Sequence, residues 1–464
     1  MSAAFQSIWQ LSRLLASGAS TSVALVREHL DRIERLDGKL HAFVDVYADE
    51  ALAAAEGLDR LRGAGVLLGP LHGVTVAVKD LFDIDGRPVT GGSVSLPARI
   101  SDVTATVVTR LRGAGAIVLG KTHTVEFAFG GWGTNATMGT PWNPWDLATH
   151  RVPGGSSSGS AVAVTAGLAC AAIGTDTGGS VRIPAGLCGL VGLKTTHGLV
   201  SRHGLLELCP THDTVGPLTR DVRDCATMLD VLAGPDPLDA PTCAAPVRRV
   251  SQELERGVRG LRVWVLPQDE REGVEAEVLD ACDAAVGVLR DLGATLVERA
   301  LPQRLAESMA VAGSLMSAEG YANLGSLFER DELTFDPHVR RRILLGRDIG
   351  AARYIELLRA RARAQVAMLQ AMDGVDACVF PTNAITAIPL EEVDELATPL
   401  SRFGRFVNLL NLCSVAVPAG LSSAGLPISV QFIGRPFAEP LMLRMAFAFE
   451  QATRPTPLLP PGLA

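Results

Sequence analysis

Gly154-Gly155-Ser156-Ser157-Ser158-Gly159-Ser160 and Gly174-Thr175-Asp176-Thr177-Gly178-Gly179-Ser180-Val181-Arg182-Ile183-Pro184 are the two stretches whose reading decides this chain. A glycine–serine linker would not lead straight into the apolar run 161–173 and then into a second glycine cluster. Upstream, Lys79 closes the apolar run Val74-Thr75-Val76-Ala77-Val78. A lysine at the end of such a strand is expected to be partly buried, and burial makes its proton easy to lose. A neutral amine beside serine hydroxyls is a base that can make a nucleophile. The combination points to acyl transfer without histidine. Glycines at 178 and 179 free the backbone of residues 177 to 180 to present successive amides toward one point. Such amides stabilise the oxyanion of a tetrahedral intermediate. A helix starting near Val181 would add partial positive charge at its N-terminal end.

Other motif matches fail on context. Gly115 to Thr122 fits GxxxxGK[ST], but the residues between the glycines are Ala116, Ile117, Val118 and Leu119. That is a buried strand and not a phosphate-cradling loop. Gly155-Ser156-Ser157-Ser158-Gly159 fits the GxSxG nucleophile elbow, which requires a strand directly before it. Thr149 to Pro153 does not read as one. The nine histidines form no HExxH or other close ligand pair, so no catalytic metal is expected. His197, His203 and His212 read as surface or loop residues.

The remaining chain alternates helices and strands. Helices are expected at 7–15, 22–36 and 48–61, with Ser20, Thr21 and Ser22 available as N-caps of the second. Strands follow at 74–78, 116–119, 171–175 and 190–194, interleaved with helices at 104–111, 160–168 and 222–232. The proline-rich stretch 235–246 marks a seam. Beyond it the rhythm resumes with strands at 261–266, 294–298, 377–380 and 428–432, and with helices at 274–289 and 440–450. Residues 303–372 read as mainly helical, and the proline-rich tail from 455 as irregular. Strands at both ends of the chain can join one sheet, so the expectation is an α/β fold in one domain over 1–464. Its parts are N-terminal helices (1–65), a core (70–235) and a helical region (303–372).

Composition agrees. At 47% hydrophobic and 20% charged residues, 464 residues make a globular chain with a sizeable core. The net charge is −8 and no Lys/Arg-rich run occurs, which argues against nucleic-acid binding by this chain alone. Eight cysteines without a CxxC pair read as reduced and buried, as expected of a cytoplasmic protein. Residues 161–173 are too few to span a bilayer, so no membrane anchor is expected.

On these residues the sequence closely resembles the amidase signature family. The resemblance extends through Gly120-Lys121-Thr122, residues 189–195 and Asp213-Thr214-Val215-Gly216-Pro217. It implies a large mixed, twisted sheet flanked by helices on both faces, with 303–372 as the variable helical part over the active site. It implies that Ser180 is the nucleophile, that Ser156 is a bridging serine after a cis peptide bond, and that Lys79 is the base. Thr177, Gly178, Gly179 and Ser180 take the place of the oxyanion-hole amides, and Asp176 and Arg182 that of supporting residues. Phe129, Gly130, Gly131 and Trp132 follow a segment that borders the acyl pocket in relatives. Tyr321, Arg341 and Arg347 are further candidates for substrate contact. Ser158 stands where the family loop often has glycine, and His123 where many relatives have asparagine.

The implied reaction is amide hydrolysis without cofactor or metal, with a small-molecule amide and water as reactants and a homodimer as an allowed assembly. Holding Lys79 neutral requires its pKa to come down from about 10.4 toward 7. Three readings follow. One is a stand-alone amidase for small or aryl amides, carbamates or urea-like compounds. Another is the glutamine-hydrolysing subunit of a tRNA-dependent amidotransferase, against which no Arg/Asp pair suited to an α-amino acid stands out late in the chain. The third, a catalytically idle scaffold, conflicts with the full catalytic set.

Overall fold

The computed structural model describes residues 2–96, 99–246, 249–453 and 457–463. Among the described residues there are thirteen strands, in chain order β1 (Phe43–Val46), β2 (Thr75–Lys79), β3 (Pro88–Val89), β4 (Arg99–Ile100), β5 (Ile117–Thr122), β6 (Ala171–Asp176), β7 (Val191–Lys194), β8 (Thr214–Thr219), β9 (Arg262–Val265), β10 (Thr295–Val297), β11 (Ala377–Pro381), β12 (Cys413–Leu421) and β13 (Pro427–Gly434). Apart from the small β3–β4 ribbon they build one mixed sheet of eleven strands, in the order β1-β5-β2-β6-β8-β7-β12-β13-β11-β9-β10. Strands from the two ends of the chain meet where β7 pairs antiparallel with β12.

The expected elements recur with small shifts at their ends. Ser7 caps the helix Ile8–Ser17 in a reciprocal box with Gln10. Of the three caps on offer for Ser22–Leu40, Thr21 is the one used, accepting from Ala24 N. The helix Val222–Leu232 keeps its expected bounds, capped by Asp221. Five strands were not expected: β1, β8 and β12 of the main sheet, and the short β3 and β4. In β8 and β12 the prolines and glycines Gly216, Pro217, Pro418 and Gly420 conceal the strand. The β12–β13 register shifts between Pro418 and Gly420. The stretch 115–122 is a buried strand, β5, as its apolar residues require. The tail lies partly outside the described residues.

What positions the site is the central trio of parallel strands. β2 pairs in parallel with β5 on one side and with β6 on the other, so Lys79 and Asp176 stand at carboxyl ends of neighbouring strands. Ligand sites of parallel sheets form at such ends. Along β2, Val76 and Val78 pack into one core cluster, while Ala77 packs into another with the helix Ser158–Thr165. Side chains alternate along a strand, so Lys79 leaves β2 on the Ala77 side, toward the start of that helix. The helix is built of small and apolar residues, exposes no face to water and has every residue buried, which fixes the serine loop preceding it.

Candidate active site

Lys79 is fully buried. Its Nζ lies 2.7 Å from Ser156 Oγ, 2.8 Å from Thr175 Oγ1 and 3.1 Å from Ser157 Oγ. All three partners are neutral hydroxyls. The adjacent carboxylate, Asp80, is engaged instead by Lys121 Nζ at 3.1 Å and by Thr90. Burial pulls the pKa of Lys79 down to about 7, against the distant pull of Asp213 and Asp176. A neutral amine has two N–H groups and one lone pair. Ser157 Oγ donates to Thr175 O at 3.2 Å, so toward Lys79 it is an acceptor. That leaves the lone pair free for the proton of Ser156. The Gly155–Ser156 peptide is cis.

The second segment is held by one buried ion pair. Arg182 Nε donates to Asp176 Oδ2 and Nη2 to Oδ1, both at 3.0 Å. The other guanidinium bonds reach Gln431 Oε1 at 2.9 Å, Asn408 Oδ1 at 2.8 Å and Gly404 O at 3.1 Å. Burial alone would raise the pKa of Asp176, but Arg182 outweighs it and holds the carboxyl at about 2. The same carboxylate accepts from Gly179 N at 2.8 Å, which engages one of the four expected oxyanion-hole amides. The amides of Thr177, Gly178 and Ser180 donate to nothing among the described residues. Gly179 has φ of +122°, and a Cβ there would lie 2.7 Å from Ile183 Cδ1, so only glycine fits the turn. Thr177 Oγ1 donates to Asp213 Oδ1 at 2.6 Å, and Asp213 Oδ2 accepts from the amides of Leu208 and Cys209 at 2.9 Å each.

Ser157 N donates to Ser180 O at 3.1 Å, which ties the two glycine-rich segments together. The Ser180 side chain opens onto a narrow cavity with about 20 Å³ of free space. Phe129, Gly130, Gly131 and Trp132 line it, together with Ile183 and Met316. Through Phe129, Arg342 and Arg405 it adjoins an outer vestibule of about 480 Å³.

Some expectations are corrected. Tyr321 lines neither space; its hydroxyl is turned to Glu329 Oε1 at 2.5 Å. Arg341 reaches only the vestibule, and Arg347 is paired with Asp348 outside both. His212 lies in a turn, within the expectation of a surface or loop residue, and is buried there, with Nδ1 3.3 Å from Cys209 Sγ and 2.8 Å from Thr211 Oγ1. Cys209 also donates to Glu319, whose carboxylate accepts from Thr211 and Tyr354 as well, while His212 Nε2 is left without a partner among the described residues. Cys243 is exposed, while the other seven free cysteines are buried. His123 and Ser158 are buried away from the cavity. Ser157, Thr175, Asp213 and Asn408 join the site without having been singled out beforehand. Ser157 alone carried a local signal, as the serine next to Ser156.

A mixed sheet with serine loops at its parallel strand ends and a buried lysine among hydroxyls defines a class of carbon–nitrogen hydrolase. The family model described as Amidase matches residues 24–443, and the chain belongs to the amidase signature family. It is 42% identical to a glutamyl-tRNA(Gln) amidotransferase subunit of Geobacter sulfurreducens, over 96% of both chains. Among solved structures, peptide amidase from Stenotrophomonas maltophilia superimposes with a TM-score of 0.85 at 32% identity, covering 98% of each chain. A chain of a vestigial protein complex, described as revealing the origins of an s-triazine catabolic enzyme, superimposes with a TM-score of 0.91 at 31% identity. It is matched over its whole length by 98% of this chain. No helix among the described residues is long and apolar enough to cross a membrane.

Proposed function

We propose that the chain hydrolyses small or aryl amides, or related carbamates and urea-like compounds, through an acyl-enzyme on Ser180. The observation that carries this is Lys79 Nζ held by three hydroxyls and by no carboxylate. Ser180 Oγ attacks the amide carbonyl, and its proton passes by way of Ser156 to the lone pair of Lys79. In the resting structure the Lys79–Ser156 link is made, and the Ser156–Ser180 link forms with substrate in place. The oxyanion rests on the free amides of residues 177, 178 and 180. Collapse breaks the carbon–nitrogen bond, and the amine leaves with the relayed proton. Water then attacks the ester, gives its proton to the same relay, and releases the acid with Ser180 restored.

The second reading is the glutamine-hydrolysing subunit of an amidotransferase, favoured by the 42% identity to a relative of that name. Against it, the inner cavity is lined by Arg342 and Arg405 but by no carboxylate to receive an α-ammonium group. Purified alone, the chain is expected to turn over at least one non-amino-acid amide in a panel of amides, carbamates and glutamine. Hydrolysis of glutamine only, and only with a partner protein added, would replace the first reading by the second.

The base also sets a pH profile. With the pKa of Lys79 at about 7, kcat/KM should rise about tenfold per pH unit below 7 and level off above it. Unfolding returns Lys79 to its free value of 10.5, so between about 7 and 10.5 the unfolded chain binds the extra proton. The Lys79 contribution to stability therefore improves as pH rises through that window. A rate profile flat from pH 5 to 8 would remove Lys79 from the role of base.

A further inference from the structure

Among the described residues the fully buried Lys and Arg side chains have partners, whereas the half-buried Arg405 has none. Arg182 pairs with Asp176, Lys121 with Asp80, and Lys194 donates to Leu412 O at 2.6 Å. Arg32 donates to backbone carbonyls, as do both terminal nitrogens of Arg220, whose Nε alone is left without a partner among the described residues. Arg405 has no hydrogen bond and no ion pair among the described residues, and its side chain is half-buried in the wall of the cavity that holds Ser180. Its one charged neighbour is another cation, Arg342, which is occupied by Glu395 and by Phe129 O. Burial and Arg342 together lower the pKa of Arg405 to about 10, which leaves it cationic at neutral pH.

The position is fixed from both sides. Residue 404 presses on the oxyanion loop, where a Cβ on Gly404 would lie 2.5 Å from Gly178 O. From there the Arg405 stem crosses Gly178, its Cγ 3.1 Å from where a Cβ would be, and Nη1 comes within 3.6 Å of the Cβ position of Gly313. Glycines at both contacts leave the guanidinium room to lie along the cavity. A desolvated guanidinium without an anion is unfavourable, and its planar donors match a carboxylate.

We infer that Arg405 receives the far end of the acyl group, and that the preferred substrates are amides whose short apolar acyl chain ends in a carboxylate. This rests on the amidase reading and names its substrate class. Ile183, Met316 and Phe129 would enclose the methylenes, with the amide carbonyl at Ser180. The absence of a lining carboxylate in the inner cavity favours an acyl chain without an α-ammonium group.

The test compares three amides of matched length on the full chain: glutaramate, pentanamide, which lacks the carboxylate, and glutamine, which adds the ammonium. Wild-type kcat/KM should favour glutaramate over pentanamide by about 100-fold and should also favour it over glutamine. Arg405→Gln should collapse the glutaramate-to-pentanamide ratio toward one, and Arg405→Lys should restore part of it. Equal rates on glutaramate and pentanamide in the wild type, a ratio unchanged in Arg405→Gln, or a preference for glutamine would each overturn the inference while leaving the amidase reading intact. If no amide is hydrolysed, the amidase reading fails by itself, and calorimetry with glutarate decides the binding site. About 30-fold weaker binding to Arg405→Gln than to the wild type supports the site; equal binding, or no binding to either, overturns it.

Discussion

Ser180→Ala is expected to lower kcat on any amide substrate by about 10⁵-fold or more, the scale seen when a nucleophile is removed from a cooperating catalytic set. The residual rate would come from the amides of Thr177, Gly178 and residue 180, which the substitution leaves in place. Stability is a separate readout. The Ser180 side chain faces the cavity and makes no hydrogen bond within the described structure, so the unfolding midpoint should stay within about 0.5 kcal/mol of wild type. An inactive but unfolded variant would say nothing about the nucleophile; an inactive and fully stable one would. Lys79→Ala should approach the same loss and should also abolish the rise of rate through pH 7. A Ser180→Ala protein that keeps near-wild-type rate would end the acyl-enzyme mechanism.

Arg182→Ala is expected to be the most destabilising single change in the site, by about 3–5 kcal/mol. The guanidinium is 1% exposed and its partner Asp176 0%. Removing it leaves a buried carboxylate without its counter-charge, strips the donor from Asn408 Oδ1 and leaves Gln431 Oε1 with Ser414 alone. Denaturant unfolding measures this directly. The pH dependence supplies a second signature. In the wild type the Asp176 carboxyl is held at about 2, below its free value of 3.8, so its stabilisation is present above about 4 and is lost as pH falls toward 2. In Arg182→Ala that acid-limb loss should disappear, because burial then raises the carboxyl instead. Replacing Asp176 by asparagine in the Arg182→Ala background should recover part of the stability. A variant within 1 kcal/mol of wild type would show that the pair does not hold the loop.

Much of this was legible before the fold was known, for local reasons. β2 and β5 are continuous apolar runs, and the helix Val222–Leu232 has an Asp cap and apolar spacing, so each announces itself within a few residues. The serine and glycine segments carry their chemistry in adjacent positions. β12 stayed hidden because Pro418 and Gly420 interrupt its pattern, and its pairing with β7 and β13 overrides that local signal. Tyr321 looked available for substrate from its place in the helical region, yet the turn of its helix directs the hydroxyl to Glu329.

By itself the sequence determined which groups are proposed to react: one lysine closing a buried strand, two serines among glycines, and the acid–base pair Asp176 and Arg182 six positions apart. Only the tertiary structure decided their charge states. The pKa of Lys79 comes down to about 7 because burial removes its water, and Asp80 is claimed by Lys121, forty-one residues away in the chain. Arg405, which lies against Gly178 and Gly313 from distant parts of the chain, faces a cavity lined by no carboxylate among the described residues. A protonation state depends on every charge and dipole within a few ångströms, and which groups come that close is settled by long-range packing.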